Sequence, residues 1–425
     1  MPLILGTNSI KDTGYDVANS CRFQDSDSSE MSRAIASTGS NTIWTVSAWV
    51  KRVELGQSSP IFGTGDGGAN NDARMVFFDA ADAIECSYYN SGYTYEVTTN
   101  RVFRDISAWY HICILFDSTQ GTAANRIKIY VNGTQETSFA TSSYPSEDAA
   151  FNFGNTSYTH YVNDMGGRNI RGSHYIAELV YIDGTASAVT NFGEFDSDSP
   201  TIWKPIDVSG LSVGTNGVYL DFEASDNLGN AVDGGTDFTE GGLAAADQAT
   251  DSPTNNFCTL NPLVPSTGFT FSEGNCKMVS AGDTSGGGIG TFGLTAGKWW
   301  WEIKMASLLG NHTHGVISEL TTELYTDAGA LQNDSGVTMF RNDDGGEMNK
   351  DGTQTTADYG TFDDGDIMGI AFNADDNQIS IYDNGSAIVS NYTISTTRGV
   401  IFPFFGSGID TTFEINFGGC SSFAI

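Results

Sequence analysis

Apolar side chains recur at every second position wherever they cluster in this chain. From Ile43 to Val50, residues Trp44, Val46, Ala48 and Val50 share one face, and Ile127, Ile129 and Val131 do the same before Asn132-Gly133. Successive strand residues point to opposite sides of a sheet, so a period of two predicts half-buried strands. The second half repeats the habit, with Trp299, Trp301 and Ile303 on one side of their segment and Phe413, Ile415 and Phe417 on one side of theirs. Asn384-Gly385, directly after Ile379–Asp383, predicts a two-residue hairpin, because both residues tolerate the positive φ of a type I′ turn.

No window of 11 or more residues sustains an i, i+3, i+4, i+7 apolar pattern, and Leu243–Ala249 could make a short helix at most. Strands spaced by roughly 8–12 residues predict an all-β protein of two consecutive antiparallel β-sandwiches. A chain of 425 residues exceeds one comfortable core. The expected division is a first sandwich at 1–205, a connector at 206–256 and a second sandwich at 257–425. The connector is expected because Asp226–Gly235 and Gly241–Asp247 are too rich in Gly, Asp and Ala to bury a core of their own.

Composition sharpens this picture. Fifty glycines and 12% aromatic residues favour short strands joined by turns. The net charge of −33 is uneven, since residues 1–205 hold 13 Lys/Arg against 23 Asp/Glu and residues 206–425 hold 6 against 29. Such acidity repels phosphate backbones and anionic membranes, so neither nucleic-acid binding nor lipid docking is expected. Divalent cations and neutral ligands remain compatible with it, and dispersed carboxylates also serve solubility.

The six cysteines, at 21, 86, 113, 258, 276 and 420, contain no C-x-x-C spacing. Three fall in each half, so at least one per half cannot pair within its domain. They are expected to be mostly reduced core residues, as in a chain folding in a reducing cytoplasm. Met1–Gly6 lacks the basic region of a secretory signal, and the longest apolar run, Trp109–Phe116, is too short to cross a bilayer.

Particular segments carry family resemblances. Cys21–Gln24, Trp44–Lys51, Ile61–Gly63, Trp109–Ile112, Ile127–Gly133 and Ile176–Asp183, in that order, resemble a laminin-G-like jelly roll of the concanavalin A type over residues of about 20–200. Gly297–Glu302, Gly315–Ile317, Tyr359-Gly360, Gly365–Ile370, Ile379–Gly385, Ile401–Pro403 and Asn416–Gly418 resemble a SPRY domain over about 257–420. The combination, with Phe192–Phe195, Trp203–Pro205, Asn216–Phe222 and Asp251–Phe257, is similar to virion-associated proteins of marine and environmental tailed bacteriophages. That resemblance implies a non-enzymatic virion protein, in a tail fibre, tail or capsid-attached position, that recognises a host cell-surface glycan or protein. It further implies contacts with other virion subunits and a homo-oligomer, preferably a trimer, that multiplies weak contacts. A purely structural decoration protein and a polysaccharide depolymerase are the alternatives.

Lectin-type folds stack aromatic faces on sugars. Tyr88, Tyr89, Tyr93 and Tyr95, in a polar and glycine-flanked stretch, are candidates, as are Tyr158, His160 and Tyr161. Alternation commits Trp299 and Trp301 to the core and leaves Trp300 for a surface. No cofactor is required by this reading. Calcium is the cation its loops could hold, at Asp25 and Asp27, at Asp343 and Asp344, or at Asp363 and Asp364, because Ca²⁺ takes several oxygens on irregular backbone. His312 and His314 would point both rings to one side of a strand as a metal pair, against the alternative of a hydrogen-bonded loop. His111 reads as structural. For hydrolysis, Glu194-Phe-Asp196 is the nearest approach to a paired-carboxylate strand, but its pattern ends in Ser199 instead of a third acid. No G-x-S-x-G elbow supports a serine nucleophile.

Overall fold

The computed structural model describes residues 14–67, 73–151, 153–264, 268–280, 286–309, 311–319, 321, 335–343, 345–355, 357–395, 399–407 and 410–419. They form two compact units that divide in the chain between Asn256 and Phe257. The protein is all-β. Its described residues contain no α-helix, and Leu243–Ala249 holds only the 3₁₀ turn Ala245–Asp247 before the short strand Gln248–Ala249.

The first unit packs two antiparallel sheets. One runs in the order Thr134–Gln135, Ile127–Val131, Trp109–Asp117, Ile43–Arg52, His174–Asp183, Ser20–Phe23, Gln248–Ala249, with Val218–Leu220 also paired to His174–Asp183. The other runs Phe139–Ser143, Tyr93–Val102, Ala83–Tyr89, Ala73–Phe78, Ser59–Gly65, Thr159–Val162, Glu30–Ala34, Thr239–Gly241. Trp44, Val46, Ala48 and Val50 lie between them with Phe62, Val76, Phe78 and Ile114, as the alternation requires. Each such large apolar side chain contributes about 1.5–3 kcal/mol by leaving water.

The expectation of half-buried strands needs correction here. In Ile43–Arg52 the second face, Thr45, Ser47, Trp49 and Lys51, is buried as well. Phe192, Trp203, Val208, Val213 and Tyr219 are buried among the residues over that outer face. Residues 206–256, expected as a connector, are instead an integral part of the first unit. They supply Val218–Leu220 and Gln248–Ala249 to one sheet and Thr239–Gly241 to the other. The stretch indeed has too few apolar residues for a core of its own. Val218, Leu220, Phe222, Leu228 and Phe238 instead join the core of the first unit, and Asp251 and Asn256 bond the buried Lys51 of the outer face.

Within the second unit one sheet runs Phe269–Ser272, Lys277–Ser280, Thr411–Asn416, Lys298–Leu308, Ile367–Asn373, Gln378–Asp383, Ser386–Thr393. The facing sheet runs Gly286–Ile289, Ile401–Ser407, His312–Ser318, Val337–Arg341, Glu347–Lys350, Thr353–Gln354. Trp301 and Ile303 join Phe413, Ile415 and Phe417 in the core, and Trp299 packs against its edge.

Both Asn-Gly turns adopt the geometry expected of them. Asn132 and Gly133 have φ of 47° and 74°, and Asn384 and Gly385 have 45° and 83°. Gly133 is doubly constrained, because a Cβ there would lie 2.2 Å from Cε3 of Trp203. Four cysteines, Cys21, Cys86, Cys113 and Cys258, are buried and form no disulfide. Cys276 is disulfide-bonded. Three cysteines per half rule out complete pairing, but they leave room for one bridge.

Candidate ligand-binding site

Met31 and Arg33 alternate onto the inner side of the strand Glu30–Ala34, which places a guanidinium where the pattern of the fold asks for an apolar side chain. Arg33 is only 7% exposed. Its Nη2 donates to the carbonyl of Asn216 at 2.6 Å, and its Nη1 donates to those of Gly217 and Thr236 at 3.3 and 3.2 Å. The guanidinium also lies 4.7 Å above the ring of Phe238. One buried cation thereby ties loop 214–217 to loop 233–236. Leaving a buried carbonyl unpaired costs about 1–3 kcal/mol, so the clamp is an effective one.

His160 completes the floor. Nη2 of Arg33 stands 3.3 Å from its Nδ1, and its Nε2 stands 3.1 Å from the carbonyl of Phe153. A guanidinium can only donate, so Nδ1 accepts and the proton sits on Nε2. Burial, reinforced by the charge of Arg33, pushes this imidazole down to about 3 and holds it neutral. Around the floor, Asn216 Nδ2 donates to the carbonyl of Ser37 at 2.9 Å and to Asp183 Oδ2 at 3.2 Å. Asp233 Oδ1 accepts the amide of Tyr219 at 3.1 Å.

These groups enclose a pocket of about 220 Å³ between segment 33–37, His160 and the two loops. Its mouth is made by Ala36, Ser37, Thr215, Asp233, Gly235 and Thr236, all exposed. Hydroxyls, backbone amides and carbonyls and one carboxylate line it, and glycines let backbone approach closely. Drug-sized ligands usually occupy roughly 300–1,000 Å³ behind apolar walls. This smaller, polar pocket suits one polyhydroxylated ring.

The tyrosines proposed for stacking form no part of this pocket's lining. Tyr95 is 1% exposed in the core, so it cannot meet a ligand. The alternation that puts Tyr88 on the face of Cys86 turns Tyr88 inward too, where Arg74 lies 4.1 Å from its ring and 4.6 Å from that of Tyr158. His160 is fully buried and is held by protein groups. Tyr161 is half-buried, with its hydroxyl close to Gly167. Only Tyr93, at 52% exposure, presents a largely open ring, edge-on to Tyr89, over which Arg168 lies at 5.2 Å.

Comparison with known proteins fits this architecture. The family model described as the concanavalin A-like lectin/glucanases superfamily matches residues 25–168, and the SPRY domain model matches residues 298–420. A concanavalin A-like domain is thus followed by a SPRY domain. No curated protein matches the chain in sequence. Among solved structures, the SPRY domain of human HERC1 is 14% identical, with 39% of this chain and 99% of that one covered at a TM-score of 0.32. The TRIM65 PSpry domain is 12% identical, covering 38% and 92% at 0.32, and stonustoxin is 18% identical, covering 37% and 27% at 0.28.

Other candidate groups of the concanavalin A-like domain serve local structure. Asp25 and Asp27 are exposed on one 3₁₀ turn. His111 accepts at Nδ1 from Trp203 Nε1 at 3.1 Å, so its Nε2 carries the proton and donates to Ser47 Oγ at 2.9 Å. In this tautomer it cannot take a proton from Ser47. Glu194 and Asp196 both pair with Lys204, at 3.3 and 3.6 Å, on the hairpin of Gly193–Phe195 and Trp203–Pro205.

In the SPRY domain, Trp300 faces away from the core, donating to Glu302 Oε1 at 3.1 Å and packing edge-on against Tyr382. Asp343 is ion-paired with Arg341, Asp364 accepts the amide of Leu308, and Asp363 is exposed. Asp344 lies outside the described residues. Among the described residues, no three His, Cys, Asp or Glu side chains converge as a metal-binding group. The sequence reading missed Arg33, Asn216, Asp233 and Thr236. One signal was present, a charged residue on the apolar side of an alternating strand.

Proposed function

We propose that the chain is a non-enzymatic recognition protein of a bacteriophage virion. It holds a neutral host-surface glycan in the polar pocket of its concanavalin A-like domain. The observation that carries this reading is the buried Arg33 clamp, which fixes two glycine-containing loops around hydroxyl, amide and carboxylate groups before any ligand arrives. Preorganised polar groups reduce the ordering cost of binding, which suits a ligand made of hydroxyls. The net charge of −33 also disfavours strongly anionic polysaccharides. Single-ring contacts of this size are weak, so copies arranged in a trimer or around a virion axis would supply avidity.

The test is binding of the purified chain to an array of bacterial surface glycans, alongside Ala36→Trp, which fills the mouth without touching the clamp. Expected is binding to a neutral saccharide that Ala36→Trp abolishes with an unchanged circular dichroism spectrum. Glycan binding that survives Ala36→Trp would move the site elsewhere. Retention on virions without any glycan or cell binding would favour a decoration protein. For that role Phe195 and Ile202, 45% and 40% exposed near the Trp203 hairpin, offer an apolar contact.

A further inference from the structure

Lys51 stands on the outer face of the strand Ile43–Arg52, flanked in register by Trp109 on one neighbouring strand and Tyr175 on the other. Lys51 is 1% exposed, Trp109 is 8% exposed and Tyr175 is fully buried. The segment Asp251–Asn256 reaches the same place, folded back on itself by the paired amides and carbonyls of Ser252 and Asn255. Nζ of Lys51 lies 2.6 Å from Asp251 Oδ2 and 2.8 Å from Asn256 Oδ1, and both partners are 1% exposed. Asp251 Oδ1 accepts from Trp109 Nε1 at 2.9 Å, and Asn256 Nδ2 donates to the carbonyl of Ser107 at 2.7 Å.

These three side chains are more than an ion pair with an added hydrogen bond. A carboxamide carbon lies about 1.23 Å from its oxygen, so Cγ of Asn256 is within about 4 Å of Nζ. An amine, a carboxyl group and an acyl carbon are thereby held in contact beside aromatic rings and away from bulk water. Fixed proximity of this kind removes the entropy cost of bringing a nucleophile to its target.

We propose that Lys51 and Asn256 join in an intramolecular isopeptide bond, with Asp251 as the acid–base catalyst. The distances above describe the groups before reaction. An ammonium has no lone pair, so the first step passes one proton from Nζ to Asp251. Desolvated lysine amines are effective nucleophiles. The amine attacks Cγ of Asn256, a bond forms between Nζ and Cγ, and the bond from Cγ to Nδ2 breaks. The departing nitrogen takes one proton from Nζ and one from Asp251, and leaves as ammonium from beside the half-buried Ser107. Asp251 returns to the carboxylate, and nothing is oxidised or reduced. The bond links positions 205 apart in sequence, and Asn256 is the last residue of the first unit. Tension arriving from the SPRY domain through Phe257 therefore passes from Asn256 into a central strand and leaves residues 52–255 unloaded.

The test is intact-mass spectrometry of the purified full chain after reduction of disulfides, with tryptic mapping. Expected is the loss of one ammonia molecule, no cleavage after Lys51, and a branched peptide that joins Lys51 to Asn256. Lys51→Arg, which keeps the cation, and Asn256→Ala, which keeps the ion pair, are each expected without the loss, as is Asp251→Ala. A native chain without the branched peptide, loss of water in place of ammonia, or a loss that persists in Asn256→Ala each overturns the proposal. The measurement on the native chain decides the matter even if a variant fails to fold.

Discussion

The concanavalin A-like domain supplies partners to two of its three buried histidines, His174 being the exception among the described residues, whereas the SPRY domain supplies them to neither of its two. In the concanavalin A-like domain His111 sits between Ser47 and Trp203, and His160 sits between Arg33 and the carbonyl of Phe153. In the SPRY domain His312 and His314 face phenylalanines, and their nitrogens meet no hydrogen-bond partner among the described residues. Burial holds His111, His160 and His312 all down to about 3, so desolvation does not separate them. Partner supply does. The first domain has chain passing over its outer sheet face, and that chain brings Trp203 to His111 and Asp251 to Lys51. Buried polarity is tolerable where a covering segment answers it, and elsewhere it points to a ligand or to acid lability.

The sharpest way to break this comparison is to remove a partner. Lys51 and Asp251 are each 1% exposed and meet at 2.6 Å, and Asp251 also accepts from Trp109 Nε1. Lys51→Met leaves a carboxylate buried without its cation and is expected to cost the first domain about 3–5 kcal/mol in denaturant unfolding. Adding Asp251→Leu should restore most of that loss. A single variant as stable as the parent would show that the covering segment contributes no essential partner.

A smaller effect is expected at Glu178, which lies on a bulge of His174–Asp183 with φ of 49° and accepts from the hydroxyls of Tyr219 and Tyr15 at 2.9 and 3.2 Å. Burial, against those hydrogen bonds, pushes its carboxyl up to about 7. The unfolded chain releases this proton near its ordinary value of about 4.3, so the native form binds it more tightly. Stability from this group is full below that value and declines as pH rises toward 7. Glu178→Gln should remove the decline and stabilise the domain by about 2–3 kcal/mol at pH 8, measured as unfolding free energy against pH. A variant that is less stable at pH 8 would contradict the assignment.

The smallest expected effect tests the hairpin of the SPRY domain. Asn384→Ala places a residue with a poorer tolerance of positive φ at 45° and removes the Nδ2 contact with Asp366. A loss of about 1 kcal/mol in thermal unfolding is expected. No change would mean that strand pairing alone sets this turn.

Much of the fold was legible because period-two alternation is a local property of the chain. Trp44, Val46, Ala48 and Val50 had to share a face, and so did Trp301 with Ile303. Asn-Gly after a strand demanded a type I′ turn for reasons internal to two residues. The candidate site was not legible in the same way. Tyr88 and Tyr95 looked exposed because their neighbours are polar, whereas cross-strand register placed Tyr95 in the core and Tyr88 against Arg74.

What the amino-acid sequence alone determined is therefore which side chains share a face, which turns reverse the chain and what sign of charge the surface carries. Tertiary structure decided which faces are covered, because covering is a contact between segments distant in the chain. Arg33 meets Asn216 and Thr236 across about two hundred residues, and Lys51 meets Asp251 across 200. Hydrogen-bond partners at that separation leave no periodic trace, since any donor serves any acceptor that the fold brings within reach.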